Sequence, residues 1–311
     1  MRCPVGARRG TARGESRVLA GSVGGTPARD GPVTGESVLL AGGGDLCRRA
    51  GAILLSRGHE VWGLRRHPPA DDAWGIRWLR GDLTRPETLA DLPRAFTHVV
   101  YAPAPDARDE ALYRAVFGQG LKNLLARLDE AALRRLLFIS SSAVYGDHGG
   151  AWVNEDTPVA PSGFNGQILA QTEQWLAQAR PDAVVLRLAG LYGPGRLQLA
   201  GRLKQGAASV PGHDAPWANR MHSEDAARAM AHLLELPRPA SCYIGADDTP
   251  RRIDALYDAI AAMIGAPAVP RTGPATGEGG KRLDNSRLKT SGFDLAWPDA
   301  IEGYRALLAQ G

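Results

Sequence analysis

The stretch SVLLAGGGDLCRRAGAILLSRGHEVWGLRR, residues 37–66, has the pattern of a strand, a glycine turn, a helix and a second strand. Its apolar run at 38–41 has the length of a buried parallel strand, and apolar residues recur at helical spacing after the glycines. Gly42, Gly44 and Cys47 fall at the G-x-G-x-x-G/A spacing, in which the first glycine permits a tight turn and the second exposes bare backbone. Such a turn predicts a dinucleotide site, because the next helix presents free N–H groups to a pyrophosphate.

This interpretation depends on the segments that surround the glycines, because the glycine spacing alone is common. VLAGSVGG, at residues 18–25, imitates the motif but has no helix or second strand after it. In residues 37–66, by contrast, Asp45 and Leu46 begin the helix, and we expect their backbone to contact the dinucleotide. The alternative is a packed β-α-β unit without a ligand.

The end of the second strand predicts which dinucleotide binds. A carboxylate about 20 residues past the glycines binds the ribose 2′-hydroxyl of NAD, whereas an arginine accommodates the 2′-phosphate of NADP. This chain has Arg65 and Arg66 at that place, while Glu60 comes before the strand. NADP is therefore the expected cofactor, with NAD as the alternative if the two arginines only cover a surface loop.

Composition narrows the class of protein. The 311 residues are 44% hydrophobic and 23% charged, as in globular proteins, and the net charge is +4. Much of the basic excess lies in residues 1–36, which we expect to form a disordered tail, so nucleic-acid binding is not indicated for the remaining chain. The three cysteines and seven histidines show no metal-binding spacing, and no apolar stretch is long enough to span a bilayer. A cytoplasmic protein without a metal site is expected.

The order of the remaining segments predicts an α/β fold, a Rossmann-like doubly wound parallel sheet with a smaller C-terminal substrate lobe. We expect a dinucleotide-binding domain at 37–188 and a lobe at 189–311 with segments that return to the sheet. Strands are predicted at 38–41, 60–64, 76–80, 98–102, 136–140 and 183–188, and helices at 45–57, 86–92, 107–132, 167–179, 223–236 and 253–264.

Four further motifs resemble a known family. Gly81-Asp82-Leu83 follows the third strand, and FISSSAVYG (138–146), LRLAGLYGPGR (186–196) and RMHSEDAARAM (220–230) come after it. This order is similar to that of the extended short-chain dehydrogenases/reductases, and in particular to the atypical NAD(P)-dependent epimerase/dehydratase branch often called YeeZ-like. The resemblance implies an NAD(P)-binding oxidoreductase or epimerase/dehydratase.

The resemblance also implies roles for individual residues. The residues assigned to the adenine and to the path of the dinucleotide are Asp82, Leu83, Tyr101, Ala102 and Pro103. Ser141 lies four residues before Tyr145, where the family has a hydroxyl that hydrogen-bonds the reacting carbonyl. Alternatively, the serines around Ser141 satisfy backbone groups at the end of a strand.

The proton-donating pair of the family, Tyr-x-x-x-Lys, is missing. Anchoring the pattern on Gly166 and Glu173 places Asn165 and Leu169 at the two positions, and none of the four lysines has a tyrosine four residues before it. Candidate replacements for the donor are Tyr145, Tyr101, Tyr192 and His148. Of these, Tyr145 is the predicted catalytic residue, with a packing role as its alternative.

Arg196 and Arg220 are the candidate substrate residues, because an arginine fork suits a carboxylate or phosphate. They predict an anionic or nucleotide-linked small molecule, although either could pair with a carboxylate instead. Three functions remain open: an enzyme of the family, a catalytically inactive NADP-binding sensor or partner-binding protein, and nucleic-acid binding through the basic tail. A monomer and a homodimer are both compatible with the sequence.

Overall fold

The computed structural model describes residues 35–70, 72–272 and 279–309. Residues 1–34 of the tail predicted at 1–36 therefore lie outside the described residues. The strands are β1 Ser37–Ala41, β2 Glu60–Arg65, β3 Arg77–Arg80, β4 His98–Tyr101, β5 Arg135–Ser141, β6 Trp152–Val153, β7 Val184–Leu188, β8 Gly190–Tyr192, β9 Trp217–Ala218, β10 Arg220–His222, β11 Cys242–Gly245, β12 Arg251–Arg252 and β13 Arg282–Leu283.

The helices alternate with these strands. They are α1 Asp45–Ser56, α2 Glu110–Tyr113, α3 Leu121–Arg127, α4 Phe164–Ala179, α5 Gln198–Lys204, α6 Ser223–Glu235, α7 Ile253–Met263, α8 Ser286–Thr290 and α9 Ala300–Leu308. Short 3₁₀ helices occupy Pro86–Leu89 and Ser142–Tyr145, and a π-helical segment, Arg114–Gly120, joins α2 to α3.

Seven strands form one parallel sheet in the order β11-β7-β5-β4-β1-β2-β3. The chain moves outward from β1 through β2 to β3, then returns to β4 on the other side of β1. This reversal beside β1 leaves a crevice at the carboxyl ends of the strands, where ligands bind in such sheets. The predicted Rossmann-like parallel sheet is confirmed, and each predicted strand agrees with the structure to within one residue at either end.

The prediction of one continuous helix at 107–132 is wrong, because a π-helical segment separates α2 from α3. Tyr101 is fully buried, and its hydroxyl donates to the Val116 carbonyl oxygen at 2.6 Å. That contact engages a carbonyl inside the π-helical segment, and a Cβ at Gly120 would lie 2.7 Å from the Tyr101 hydroxyl. A tertiary hydrogen bond therefore coincides with the break in the α-helical pattern, which propensity could not foresee. The helix predicted at 86–92 is likewise only the 3₁₀ turn that begins at Pro86.

Two hydrophobic cores are present in the described part of the chain. The larger one covers the sheet and includes α1 and α6, and the smaller one joins β8, α5, α7 and α9 around Tyr192, Val210 and Ile260. Strand β11, from the C-terminal part of the chain, pairs with β7 and forms one edge of the sheet. No helix among the described residues has both the length and the apolar character needed to cross a bilayer.

Candidate functional site

A cleft of about 280 Å³ opens at the carboxyl ends of β1, β2, β3 and β4, where the strand order reverses. We call it the glycine-turn cleft. It is lined by Gly42, Gly44, Leu64, Arg65, Arg66, His67, Gly81, Asp82, Leu83, Thr84, Pro103, Ala104, Pro105, Asp106, Leu112 and Val116. Seven residues predicted to bind the cofactor are among them: Gly42, Gly44, Arg65, Arg66, Asp82, Leu83 and Pro103.

The first and second glycines of the motif differ in what the structure requires of them. Gly42 has a φ of 116°, and a Cβ there would lie 2.5 Å from the carbonyl oxygen of Ala102, so both conformation and packing require glycine. Gly44 has an ordinary φ of −77°, and a Cβ there would find no heavy atom nearer than 4.0 Å. Neither conformation nor protein packing explains Gly44, whose missing side chain leaves open space in the cleft.

Helix α1 begins at this open space. Gly44 is the N-cap residue of this helix and has no side chain that could cap it. The N–H groups at the start of the helix, including those of Asp45 and Leu46, therefore receive no side-chain cap from Gly44. Cys47, at the third motif position, is buried, and burial raises the pKa of its thiol to about 12. Its small side chain packs between α1 and the sheet as a neutral group.

The Asp45 carboxylate lies at the helix N-terminus between two arginines. Arg49 donates to it at 3.0 Å, and Arg196 Nε lies 3.4 Å from its second oxygen. Arg196 follows β8, so this ion pair connects the loop after β8 to the glycine turn. The structure thus places Arg196, predicted to contact substrate, beside the predicted pyrophosphate site.

The two arginines at the end of β2, Arg65 and Arg66, differ in their partners. Arg65 Nη1 lies 3.5 Å from the Gly43 carbonyl oxygen, and its guanidinium lies over the Trp78 ring at 6.0 Å. Arg66 Nη2 donates to both carboxylate oxygens of Asp106, at 2.7 and 2.6 Å. Asp106 lies in the loop after β4, so the Arg66–Asp106 pair joins two walls of the cleft.

The loops after β3 and β4 form the opposite wall. One Asp82 oxygen accepts hydrogen bonds from the backbone and hydroxyl of Thr84, at 2.9 and 2.7 Å. Leu83 is nearly buried, and its carbonyl oxygen accepts from Asn123 at 2.9 Å. Ala102 contributes backbone against Gly42, whereas the Tyr101 side chain lies beneath the cleft in the core.

Ser141 is a partly exposed residue at the end of β5, and its hydroxyl oxygen accepts a hydrogen bond from the Ala143 N–H at 3.2 Å. Because Tyr101 pairs with Phe138 in the parallel register, Ser141 lies alongside the loop that follows β4. The hydroxyl hydrogen remains available for another acceptor, as a carbonyl-binding role requires.

Tyr145 lies in a different environment. Its side chain is fully buried, its hydroxyl accepts a hydrogen bond from Arg187 at 2.7 Å, and burial raises the pKa of the phenol well above its usual range. Leu169, at the position of the missing lysine, is also buried. The geometry therefore gives no support to the predicted role of Tyr145 as proton donor, and we treat it as part of the framework.

A buried polar network beneath Ser141 escaped prediction. Glu173 on α4 accepts from Arg187 on β7 at 2.6 and 3.1 Å, and the Ser140 hydroxyl donates to the same carboxylate. Arg187 also reaches Tyr145, so the network joins β5, α4, β7 and the 3₁₀ turn after Ser141. Its members are scattered along the chain, and the one sequence signal is a charged residue among apolar neighbours at Arg187.

Arg220, the second candidate substrate residue, packs over β8. It pairs with Gly190 in the parallel register, and a Cβ at Gly190 would lie 2.4 Å from Arg220 Nη1. The glycine at 190 therefore makes room for this guanidinium. In the described residues, no group of three or more histidine, cysteine or acidic side chains has a metal-binding arrangement.

Comparison with known proteins agrees with this geometry. The model of the NAD dependent epimerase/dehydratase family matches residues 38–244. Protein YeeZ of Escherichia coli (strain K12) is 31% identical over 278 residues, which cover 86% of this chain and 98% of YeeZ. A Methylobacillus flagellatus structure, described as an NAD-dependent epimerase/dehydratase, is 34% identical with a TM-score of 0.75 and covers 88% of this chain and 98% of its own.

More distant structures share the fold. UDP-glucose 4-epimerase of Thermus thermophilus, in complex with NAD, is 24% identical with a TM-score of 0.74, covering 88% of this chain and 98% of its own. Human epimerase family protein SDR39U1, with NADPH, is 19% identical with a TM-score of 0.69, covering 88% and 100%. On the family match and the similarity to YeeZ, this chain belongs to the NAD dependent epimerase/dehydratase family.

Proposed function

We propose that the glycine-turn cleft binds a nicotinamide dinucleotide. The observation that carries the proposal is the open space at Gly44, a glycine that neither backbone conformation nor protein packing requires. A pyrophosphate placed there would accept hydrogen bonds from the free N–H groups at the start of α1 and meet the positive end of the helix dipole. Arg196 lies close enough to this helix end to add a positive charge.

The other walls fit the remaining parts of the dinucleotide. Asp82, Leu83 and Pro103 would flank the adenine, and Arg65 and Arg66 stand where a 2′-phosphate would project from its ribose. Two positive side chains, and no carboxylate, at the end of β2 favour NADP over NAD. Relatives of the same fold carry either NAD or NADPH.

We propose further that the protein is an oxidoreductase or an epimerase/dehydratase-like enzyme of an anionic or nucleotide-linked substrate. The nicotinamide, when bound, accepts or delivers a hydride. Ser141 would donate a hydrogen bond to the reacting carbonyl oxygen, and Arg220 would hold an anionic group from the side of β8. The division into a dinucleotide domain at 37–188 and a substrate lobe at 189–311 belongs to this proposal, supported by the second core in the C-terminal elements.

A second candidate function is cofactor binding without turnover. It is favoured by the buried Leu169 at the position of the missing lysine and by the burial of Tyr145, which together leave Ser141 without a positioned acid. The sensor function predicts saturable cofactor uptake with no cofactor oxidation or reduction in the presence of carbonyl compounds or nucleotide sugars.

Calorimetric titration of the full chain with NADPH and NADH tests the binding proposal. Gly44→Val should abolish the uptake of both, because its side chain fills the space for the pyrophosphate. Gly201→Val is the matched control, since a Cβ added at Gly201 in α5 would also meet no neighbour within 4 Å, and this residue lies outside the cleft. Unchanged affinity in Gly44→Val, or equal losses in the two variants, would contradict the site.

A further inference from the structure

Four side chains form a stack of indole rings and guanidinium groups, and none of them lines the glycine-turn cleft. The Arg282 guanidinium lies over two rings, at 5.0 Å from the centre of Trp152 and at 4.9 Å from that of Trp217. The Arg252 guanidinium lies over Trp217 at 5.4 Å. We call Trp152, Arg282, Trp217 and Arg252 the tryptophan–arginine stack.

Strand pairing builds this stack. Trp152 on β6 lies opposite Arg282 on β13, and Trp217 on β9 lies opposite Arg252 on β12. The Trp217 N–H donates to the Gly279 carbonyl oxygen at 3.0 Å, which joins the two strand pairs. The backbone therefore holds the four side chains close together, so a ligand that binds them loses little affinity to their ordering.

Neither arginine of the stack is paired with a carboxylate of the described residues. Arg282 donates through Nε to the Gly150 carbonyl oxygen at 2.8 Å, and Arg252 donates through Nη1 to the Ala215 carbonyl oxygen at 2.7 Å. Each of these contacts uses one of the five N–H groups of a guanidinium. The neighbouring Arg251 is already paired with a carboxylate and is not counted. The stack thus has two positive charges that an anionic ligand can meet.

Trp152 is the most exposed large apolar side chain of the described residues, at 53%. Trp217, by comparison, is half-buried. Packing within the fold therefore uses only part of the Trp152 ring. An exposed indole ring beside two guanidinium groups fits a ligand that offers both a flat aromatic face and negative charge.

We propose that the tryptophan–arginine stack binds single-stranded nucleic acid, with a base on the exposed ring of Trp152 and phosphates on Arg282 and Arg252. Unpaired bases stack on aromatic side chains with little regard to sequence, and arginine pairs with phosphate oxygens through two N–H groups at once. An acidic peptide would meet the two charges but has no base to stack. Composition alone does not indicate this site, because it depends on where four side chains lie. The proposal is independent of the dinucleotide.

Fluorescence anisotropy of the full chain with a labelled oligothymidylate of about 12 nucleotides tests the site. A second oligonucleotide of the same length and charge carries abasic sugars throughout. The intact oligonucleotide should bind about tenfold more tightly or better, because only its bases can stack on Trp152. The basic residues 1–34 would attract both oligonucleotides equally by charge. Equal affinities for the two, or binding of neither, would overturn the proposal without the need for a variant.

Trp152→Ala should weaken binding of the intact oligonucleotide about tenfold or more and leave that of the abasic one unchanged. Trp74→Ala is the matched control. Trp74 is also exposed and has the Arg48 guanidinium over its ring at 5.2 Å, but Arg48 lies 3.6 Å from the Asp72 carboxylate, which balances its charge. The control should bind both oligonucleotides as the unaltered protein does. Equal losses in the two variants would overturn the assignment of the base to Trp152.

Arg252→Gln should weaken binding of both oligonucleotides about threefold or more, and should lower the slope of log affinity against log salt by about one, because one phosphate contact is lost. Arg77→Gln is the matched control, since Arg77 also lies over a tryptophan, Trp62, at 5.3 Å but is paired with Glu60. An unchanged slope in Arg252→Gln would contradict the phosphate contact. Displacement of the oligothymidylate by poly-glutamate as effectively as by unlabelled oligothymidylate would assign the surface to acidic peptides and overturn the proposal.

Discussion

Replacing Glu173 by glutamine should reveal how strongly the buried network supports the site. The Glu173 and Arg187 side chains are 9% and 10% accessible, and their hydrogen bonds are as short as 2.6 Å. Glu173→Gln keeps the shape of the side chain but leaves the Arg187 guanidinium buried without its counter-charge. Breaking one partner of such a pair costs about 3–5 kcal/mol of unfolding free energy. That is a fifth or more of the total unfolding free energy of a typical domain, which is about 5–15 kcal/mol.

Urea unfolding at neutral pH, followed by circular dichroism, measures this free energy. Glu302→Gln serves as the control, because Glu302 pairs with Arg305 on the surface, where the two side chains are 64% and 57% accessible. The control should lose less than about 1 kcal/mol. Equal losses in the two variants, or a loss below about 1 kcal/mol in Glu173→Gln, would refute the claim that the network is an electrostatic support beneath Ser141.

Two further predictions concern Ser141 and Asp247. Ser141→Ala should lower any NADPH-dependent turnover about 10²- to 10³-fold, because it removes a hydrogen-bond donor to the developing oxyanion. The affinity for NADPH should stay unchanged. A parallel fall in NADPH affinity would contradict a role of Ser141 in the reaction alone. Asp247 is buried, and burial raises the pKa of its carboxyl to about 8, so the folded protein holds a proton that the unfolded chain releases near pH 4. The stability that this group contributes is present at low pH and is lost as the pH rises toward 8. The melting temperature should therefore be lower at pH 8.5 than at pH 5.5, and Asp247→Asn should make this difference smaller. An equal difference in the variant would contradict the raised pKa of Asp247.

The sequence predicted the parallel sheet well because strand length, apolar runs and glycine turns are local signals. The glycine turn and the cofactor-side residues came from the same signals together with the family resemblance, and most of them line one cleft. Helix continuity at 107–132 could not be read locally, since the Tyr101 hydroxyl reaches Val116 from a neighbouring strand.

The parts of the site that sequence reasoning missed depend on pairs far apart in the chain. Arg66 and Asp106 are 40 residues apart, and Arg187 is 42 residues from Tyr145. No periodicity or motif marks such partners, because only the fold brings them together. The same reason explains why Tyr145, close to Ser141 in sequence, proves to be buried beside Arg187 instead of facing the cleft.

The most direct test of the central claim is diffraction from crystals of the full chain grown with NADPH. We predict the pyrophosphate at the N-terminus of α1, within hydrogen-bond distance of backbone N–H groups after Gly44, with the 2′-phosphate beside Arg65 and Arg66. Nucleotide density elsewhere on the protein, or a side chain of the protein filling the space at Gly44, would contradict it.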